Sequence, residues 1–197
     1  IYSHIQNVIE SKELKRNDRF IIYALVVAKE AIEDSGINNL NYAQKIRTGV
    51  CVGYGIGGLE TIDENSIILD NKGPRRISPF FVPASLINLI SGKISIKYGF
   101  KGPNHSVVTA CATGAHSIGD SSEIIKRNAA DVMVAGGSEA AVCQLGIAGF
   151  CAARSLSTNF NDKPELASRP WDKDRDGFVM GEGSGIVVLE ELEHAKK

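Results

Sequence analysis

The sequence contains no long apolar run and no excess of charge of either sign. Its longest purely apolar stretch falls far short of the roughly 20 residues that a membrane-spanning helix needs. Lys and Arg total 22 against 23 for Asp and Glu in 197 residues. No overall electrostatic field therefore attracts the chain to nucleic acid or to an anionic membrane, and neither partner is expected.

Cysteine is scarce, and its spacing does not indicate a metal site. The four cysteines, Cys51, Cys111, Cys143 and Cys151, form no C-x-x-C pair and have no zinc-type spacing with the four histidines. We expect no disulfide framework, no bound metal and no secretory leader. A reducing, cytoplasmic setting is therefore predicted.

The pattern of apolar residues predicts an alternation of helices and strands. An apolar content of 43% is enough for a substantial core. Helical spacing predicts helices over residues 18–35, 83–96 and 112–126, and apolar runs predict buried strands over residues 49–53, 105–110, 131–136 and 184–189. Because helices and strands interleave, the predicted class is α/β with a sheet covered by helices.

A glycine-rich loop at residues 53–58 satisfies the pattern G-x-G-x-x-G after a predicted strand. A dinucleotide site also needs an acidic residue about 20 positions further on, at the end of a second strand, to bind the ribose. The sequence around residue 78 is ISPFFVP, which has no such residue. We interpret the loop as a tight turn where the backbone passes close to another element.

An acidic segment at residues 172–177, DKDRDG, begins like a calcium-binding EF-hand loop. The twelfth position of such a loop requires a bidentate Glu, and this sequence has Gly183 there. The interleaved Lys173 and Arg175 favour a self-neutralising charged turn. We therefore predict that these carboxylates are structural.

Cys111 lies where the predicted strand 105–110 gives way to the predicted helix 112–126. The N–H groups at a helix amino terminus stabilise an anion, and the thiolate is the nucleophilic form of cysteine. The same N–H groups can bind the oxyanion that forms when a thiolate attacks a thioester. Most single cysteines are inert packing residues, and this simpler interpretation suits Cys51, Cys143 and Cys151.

Four segments around Cys111 carry a family resemblance: TACATGAHSIGD, DVMVAGGSEA, GFCAARSLS and RPWDKDRDGFVMGEGSGIVVLEELEHA. In order and spacing they closely resemble the 3-oxoacyl-acyl-carrier-protein synthases, particularly type II of the bacterial pathway. The upstream segments GYGIGGLETIDEN and KGPRRISPFFVPASLIN resemble the same family. The resemblance implies a thiolase-like fold, normally two similar halves in one subunit and a homodimer, with residues 1–197 forming most of the amino-terminal half.

The resemblance assigns roles to three residues. The cysteine at the position of Cys111 takes an acyl chain from acyl carrier protein, and malonyl carrier protein then loses carbon dioxide and attacks the bound thioester. Ile56 matches the residue that gates the acyl-chain tunnel, and Phe150 matches another residue of the pocket wall. The resemblance also implies that the enzyme itself binds no cofactor, because in the family the acyl groups travel on the phosphopantetheine of the carrier protein.

An acidic carrier protein with a phosphate-bearing arm implies a basic rim at the tunnel entrance. Lys12, Lys15 and Arg16 match the carrier-docking stretch of the family. Arg75, Arg76 and Arg154 match other basic positions around the entrance. Because exposed Lys and Arg are common, a solvated helix surface is the alternative interpretation of the first cluster.

The family also has two histidines, a lysine and a glycine-rich phenylalanine loop that have no counterpart in this sequence, and we expect the chain to be truncated at both ends. The family histidines assist decarboxylation, and neither His105 nor His116 is placed to replace them. We therefore expect at most an acyl-cysteine from this chain alone.

Two alternatives remain. One is an inactive remnant or assembly fragment that needs a complementary carboxy-terminal half. The other is a degradative thiolase, which would lack the RPWDKDRDGFVMGEG signature.

Overall fold

The computed structural model describes residue 5 and residues 8–196. The helices are α1 (Ser11–Leu14), α2 (Arg19–Asp34), α3 (Tyr42–Ile46), α4 (Leu59–Lys72), α5 (Phe81–Ser85), α6 (Leu89–Tyr98), α7 (Thr113–Lys126), α8 (Gln144–Ala152) and α9 (Leu192–Ala195). The strands are β1 (Thr48–Gly53), β2 (Asn104–His105), β3 (Val132–Glu139) and β4 (Gly183–Glu190). No helix in the described part of the chain is long and apolar enough to cross a membrane.

The four strands form one mixed sheet in the order β2-β1-β3-β4. Strand β1 pairs in parallel with β2 and β3, and β3 pairs antiparallel with β4. The parallel register places Gly53 opposite Gly137, so β1 and β3 end side by side. The predicted α/β class is confirmed.

Helices cover both faces of the sheet. On one face, α2 and α6 pack on alternate side chains of the strands, including Val50 of β1 and Val134 of β3, around the buried ring of Phe20. On the other face, α7 covers the intervening side chains, among them Cys51 and Met133. The sheet is therefore the middle layer between helices. The start of α7 packs at the end of the sheet where the candidate site lies.

The boundaries of α2 follow from its flanking residues. Asp18 is the N-cap, and its carboxylate accepts the Phe20 N–H at 3.3 Å. Gly36, just after the C-cap, has a φ of +74°, a left-handed conformation that glycine adopts without steric cost. The helix predicted over residues 18–35 is confirmed.

The strand predicted over residues 105–110 is much shorter than expected, because pairing with β1 stops after His105. The Ser106 hydroxyl donates to the carbonyl of Val52 at 2.7 Å and so takes an acceptor that a longer ladder would use. Residues 106–109 therefore leave the sheet, and a 3₁₀ turn over Ala110–Ala112 leads into α7. The predicted length of this strand was wrong because the Ser106 hydroxyl, and not a backbone N–H group, donates to the Val52 carbonyl.

The helix predicted over residues 83–96 is two helices, α5 and α6, with an extended backbone at Leu86 between them. The Ser85 carbonyl accepts the N–H of Gly58 at 3.2 Å instead of continuing a helix. This break attaches the segment to the glycine-rich loop, so it also helps to position that loop.

Candidate active site

A cavity of about 540 Å³ opens at the carboxyl ends of β1 and β3, where α7 begins. Three residues singled out from the sequence, Cys111, Ile56 and Phe150, all line it. Much of the remaining wall comes from the ends of the two strands, from the start of α7 and from residues 178–181 and 183–185, which precede and enter β4. The lining is mainly apolar, which suits a chain of methylene groups better than a charged ligand.

Cys111 sits at the corner between the sheet and α7, with its side chain exposed. The preceding residue, Ala110, has a φ of +51°, which is a strained conformation for a residue with a Cβ atom. The Thr113 hydroxyl accepts the N–H of Thr109 at 2.9 Å and donates to the carbonyl of Ala110 at 2.7 Å. One buried side chain therefore holds the strained turn that presents the thiol.

Thr113 can approach the sheet because the strand residue facing it has no side chain. A Cβ atom on Gly53 would lie 2.3 Å from the Thr113 methyl group and 2.3 Å from the carbonyl oxygen of Val107. Neither distance is compatible with van der Waals packing. The glycine at the end of β1 is thus what allows α7, and with it Cys111, to lie close to the sheet.

Ile56 and Phe150 line the cavity from different elements of the fold. Ile56 is 45% exposed, on the glycine-rich loop that follows β1. Phe150, on α8, meets the ring of Phe178 edge to face with a centroid distance of 5.2 Å. This aromatic pair joins α8 to the segment before β4, and both rings belong to the wall of the cavity.

Glu139 is a lining residue that the sequence analysis missed. It ends β3, and its Oε2 accepts the N–H of Gly55 at 3.3 Å. Burial raises the pKa of this carboxyl above its usual value. The available signal was a carboxylate at the end of a buried strand in the segment GGSEA, adjacent to the glycine-rich loop only in three dimensions.

The predicted docking residues are divided between two regions. Lys15, Arg16 and Arg76 line a second groove of about 410 Å³ beside α2 and α4, and the Arg16 guanidinium lies 4.7 Å from the centroid of the Phe80 ring. Lys12 forms an ion pair with Glu10 at 2.7 Å. Arg75 and Arg154 are exposed but line neither this groove nor the cavity.

Comparison with known proteins identifies the family. Residues 5–195 match the family described as "Beta-ketoacyl synthase, N-terminal domain". The chain belongs to the beta-ketoacyl synthases. The resemblance recognised in the sequence motifs is thereby confirmed over almost the whole chain.

Curated relatives of this ketoacyl synthase chain include two that are more than half identical to it. The 3-oxoacyl-[acyl-carrier-protein] synthase 2 of Rhizobium meliloti (strain 1021) is 58% identical over 188 residues, which is 95% of this chain and 45% of the relative. The mitochondrial 3-oxoacyl-[acyl-carrier-protein] synthase of Arabidopsis thaliana is 55% identical over 178 residues, covering 90% and 39% of the two chains. The chain thus spans about half the length of the curated relatives it matches.

Solved structures share the fold of this ketoacyl synthase chain. A beta-ketoacyl synthase from Burkholderia phymatum STM815 superimposes with a TM-score of 0.82 at 31% identity, over 94% of this chain and 45% of that one. A type II PKS ketosynthase in complex with its acyl-carrier protein gives a TM-score of 0.75 at 23% identity, over 98% and 52%. These likenesses confirm the predicted thiolase-like, layered α/β architecture.

Among the residues that the structure describes, the histidines and the remaining cysteines of this ketosynthase domain lie outside the cavity. His105 places its Nε2 3.5 Å from the Sγ of Cys51, on β1, and the exposed His116 is not a lining residue. Cys51 is buried, as a packing residue should be, and Cys143 is half-buried. The same interpretation was wrong for Cys151, which is exposed on α8.

The acidic segment 172–177 is held by hydrogen bonds of its own carboxylates. Asp176 accepts the N–H groups of Thr158 and Asn159 at 2.8 Å each. The Ser157 side chain, together with these two N–H groups, holds the pKa of Asp176 below its usual value. Asp172 accepts the N–H of Asp174 at 2.7 Å. The carboxylates of Asp172 and Asp176 therefore stabilise the local backbone, as predicted. The predicted self-neutralising charge pairing was wrong, because Lys173 and Arg175 form no ion pair within the described residues.

Proposed function

We propose that this chain carries the acyl-accepting half of a 3-oxoacyl-acyl-carrier-protein synthase of fatty acid synthesis, with Cys111 as the nucleophile. One observation carries the proposal: an exposed thiol stands on a strained turn at the start of α7 and faces an apolar cavity. Family membership and the 3-oxoacyl-[acyl-carrier-protein] synthase names of its relatives agree with that chemistry.

The proposed step is transthioesterification. The Cys111 thiolate attacks the carbonyl carbon of an acyl thioester, giving a tetrahedral oxyanion that N–H groups at the start of α7 stabilise. The carbonyl re-forms as the bond to the carrier's sulfur breaks. The carrier thiolate leaves and takes up a proton, so the new thioester joins the acyl group to Cys111. The apolar cavity then shelters the acyl chain.

The decarboxylative condensation is proposed to depend on residues outside this chain. Purified chain incubated with malonyl carrier protein is therefore expected to release no carbon dioxide above the rate without protein. Adding the remaining half of the synthase is expected to restore release and condensation. Release by the chain alone, measured as labelled carbon dioxide, would contradict this division of the reaction.

We propose acyl carrier protein as the partner and the groove lined by Lys15, Arg16 and Arg76 as part of its docking surface. The support is the clustering of three basic side chains in one groove and the carrier protein bound to a ketosynthase of the same fold. Because the expected carrier is acidic, complementary charge would mainly speed encounter. A homodimer is likewise proposed from the family resemblance.

The double variant K15E/R76E is expected to weaken binding of acyl carrier protein by about tenfold or more at low salt, because it replaces attraction with repulsion on the docking surface. The difference should shrink as salt screens exposed charges. Binding is measured by titration at two salt concentrations. K126E, at the end of α7, is the control and should bind as the wild type does. Equal weakening by both variants would refute the proposed surface.

A further inference from the structure

The glycine-rich loop that carries Ile56 is attached to the sheet through one carboxylate. Oε2 of Glu139, at the end of β3, accepts the N–H of Gly55 at 3.3 Å. The other oxygen, Oε1, is buried and has no hydrogen-bond partner among the described residues. The side chain thus lies against the cavity with one oxygen engaged by the loop.

Gly55 is confined between this carboxylate and the turn that carries the thiol. A Cβ atom on Gly55 would lie 2.8 Å from Oε2 of Glu139 and 3.3 Å from the carbonyl oxygen of Ala110, the residue before Cys111. The loop backbone at Gly55 is therefore closely flanked by the carboxylate and by the turn that carries the nucleophile. A displacement of Gly55 would change the space beside Cys111.

The residues around Ile56 show which contacts fix the loop. The Tyr54 ring stacks on Phe20 with a centroid distance of 4.3 Å, and its hydroxyl accepts the N–H of Ala140 at 3.4 Å. After Gly55, the next backbone N–H that donates to another element is that of Gly58. Ile56 therefore lies between two backbone hydrogen bonds, at Gly55 and at Gly58. The bond from Gly55 to Glu139 is the one nearer to Cys111.

We propose that Glu139 is a positioning residue that sets the location of Ile56 at the cavity and thereby limits the length of apolar group that reaches Cys111. This inference rests on the proposed acyl-accepting function for its biological substrate, an acyl thioester. The role requires an acceptor at the reach of glutamate rather than a negative charge. Because burial raises the pKa of Glu139, its ionised form costs stability at neutral pH, and a neutral glutamine should fill the same role.

The test measures how the size of a thiol reagent affects its access to Cys111. The full chain reacts separately with N-methylmaleimide and N-octylmaleimide, and peptide mass spectrometry quantifies the adducts at Cys111 and Cys151. Cys151 is exposed and does not line the cavity, so its adducts correct for the intrinsic reactivity of each reagent. The readout is the corrected octyl-to-methyl ratio at Cys111.

E139A is expected to raise this ratio by about threefold to tenfold, as the loss of one ordinary hydrogen bond suggests. E139D, whose carboxylate is one methylene shorter, should behave similarly, whereas E139Q should retain the wild-type ratio. I56A should also raise the ratio. Because Glu139 acts through Ile56, the double variant E139A/I56A should show no rise beyond that of I56A alone.

The proposal is overturned if folded E139A or E139D keeps the wild-type ratio, if E139Q rises with E139A, or if the effects of E139A and I56A multiply. Circular dichroism establishes folding, and E139D provides the result should E139A fail to fold. Maleimides need no carrier protein, so this ratio is independent of acyl transfer. A chain that shows the predicted ratios but accepts no acyl group would refute the proposed function and leave the positioning role intact.

Discussion

Replacing Gly53 by alanine is expected to destabilise the chain by about 2–3 kcal/mol, in the upper part of the range for overpacked cores, and to slow alkylation of Cys111. The added methyl group would overlap both the Thr113 side chain and the Val107 carbonyl oxygen. A backbone carbonyl yields less readily than a side chain, so Thr113 should move. Thr113 holds the turn at Ala110 by two hydrogen bonds, so its movement should misplace the thiol.

Urea unfolding and iodoacetamide labelling, with Cys151 as the reference thiol, measure the two effects. Gly119→Ala is the matched control, because a Cβ atom there meets nothing within 4 Å and the site lies on α7. Alanine within a helix should stabilise the control by about 0.5–1 kcal/mol. If G53A were as stable as wild type and labelled as fast, the close approach of Thr113 to β1 would not be what positions Cys111.

Replacing Glu182 by alanine is expected to lower the free energy of unfolding by about 1–3 kcal/mol, because partly buried donors lose their acceptor. Its two oxygens accept the Arg19 guanidinium at 2.9 Å, the Val142 N–H at 2.9 Å and the Tyr23 hydroxyl at 3.2 Å. The Glu182 side chain is only 16% exposed. This carboxylate joins α2, the segment before α8 and the start of β4, so its loss should also loosen the cavity wall.

The matched control for this prediction is Glu193→Ala. Glu193 pairs with Lys196 one turn away and is 70% exposed, and such surface pairs contribute at most about 1 kcal/mol. Both variants are compared by urea unfolding. E182Q should lie between E182A and wild type, because an amide oxygen still accepts one of the bonds. A loss for E182A no larger than that for E193A would show that the network contributes little to stability.

The fold class was predictable because its main elements depend on local signals. Helix α2 has a periodic apolar face, an aspartate cap and a terminal glycine, and β3 is a continuous apolar run. The predicted strand over residues 105–110 failed because Ser106 donates to Val52 across 54 positions of sequence. A local pattern of residues around Val52 cannot reveal a hydrogen-bond donor so far away along the chain.

The part of the candidate site that was predictable consists of residues that belong to recognisable sequence motifs. Cys111, Ile56 and Phe150 were named from motifs, and the fold brings all three to one cavity. Glu139 and Thr113 were missed because their roles depend on contacts with Gly55 and Ala110 that arise only when β1, β3 and α7 meet. Likewise, sequence spacing did not distinguish the exposed Cys151 from a packing cysteine.

The most direct test of the central claim is to locate the acyl group after the chain has reacted with an acyl carrier protein thioester. Two thiols, Cys111 and Cys151, are exposed, and only Cys111 faces the cavity. Peptide mass spectrometry should find a hydroxylamine-sensitive acyl group on Cys111 and none on Cys151, and C111A should remain unmodified. Equal acylation of both thiols, or a folded chain with Cys111 unmodified, would contradict the account.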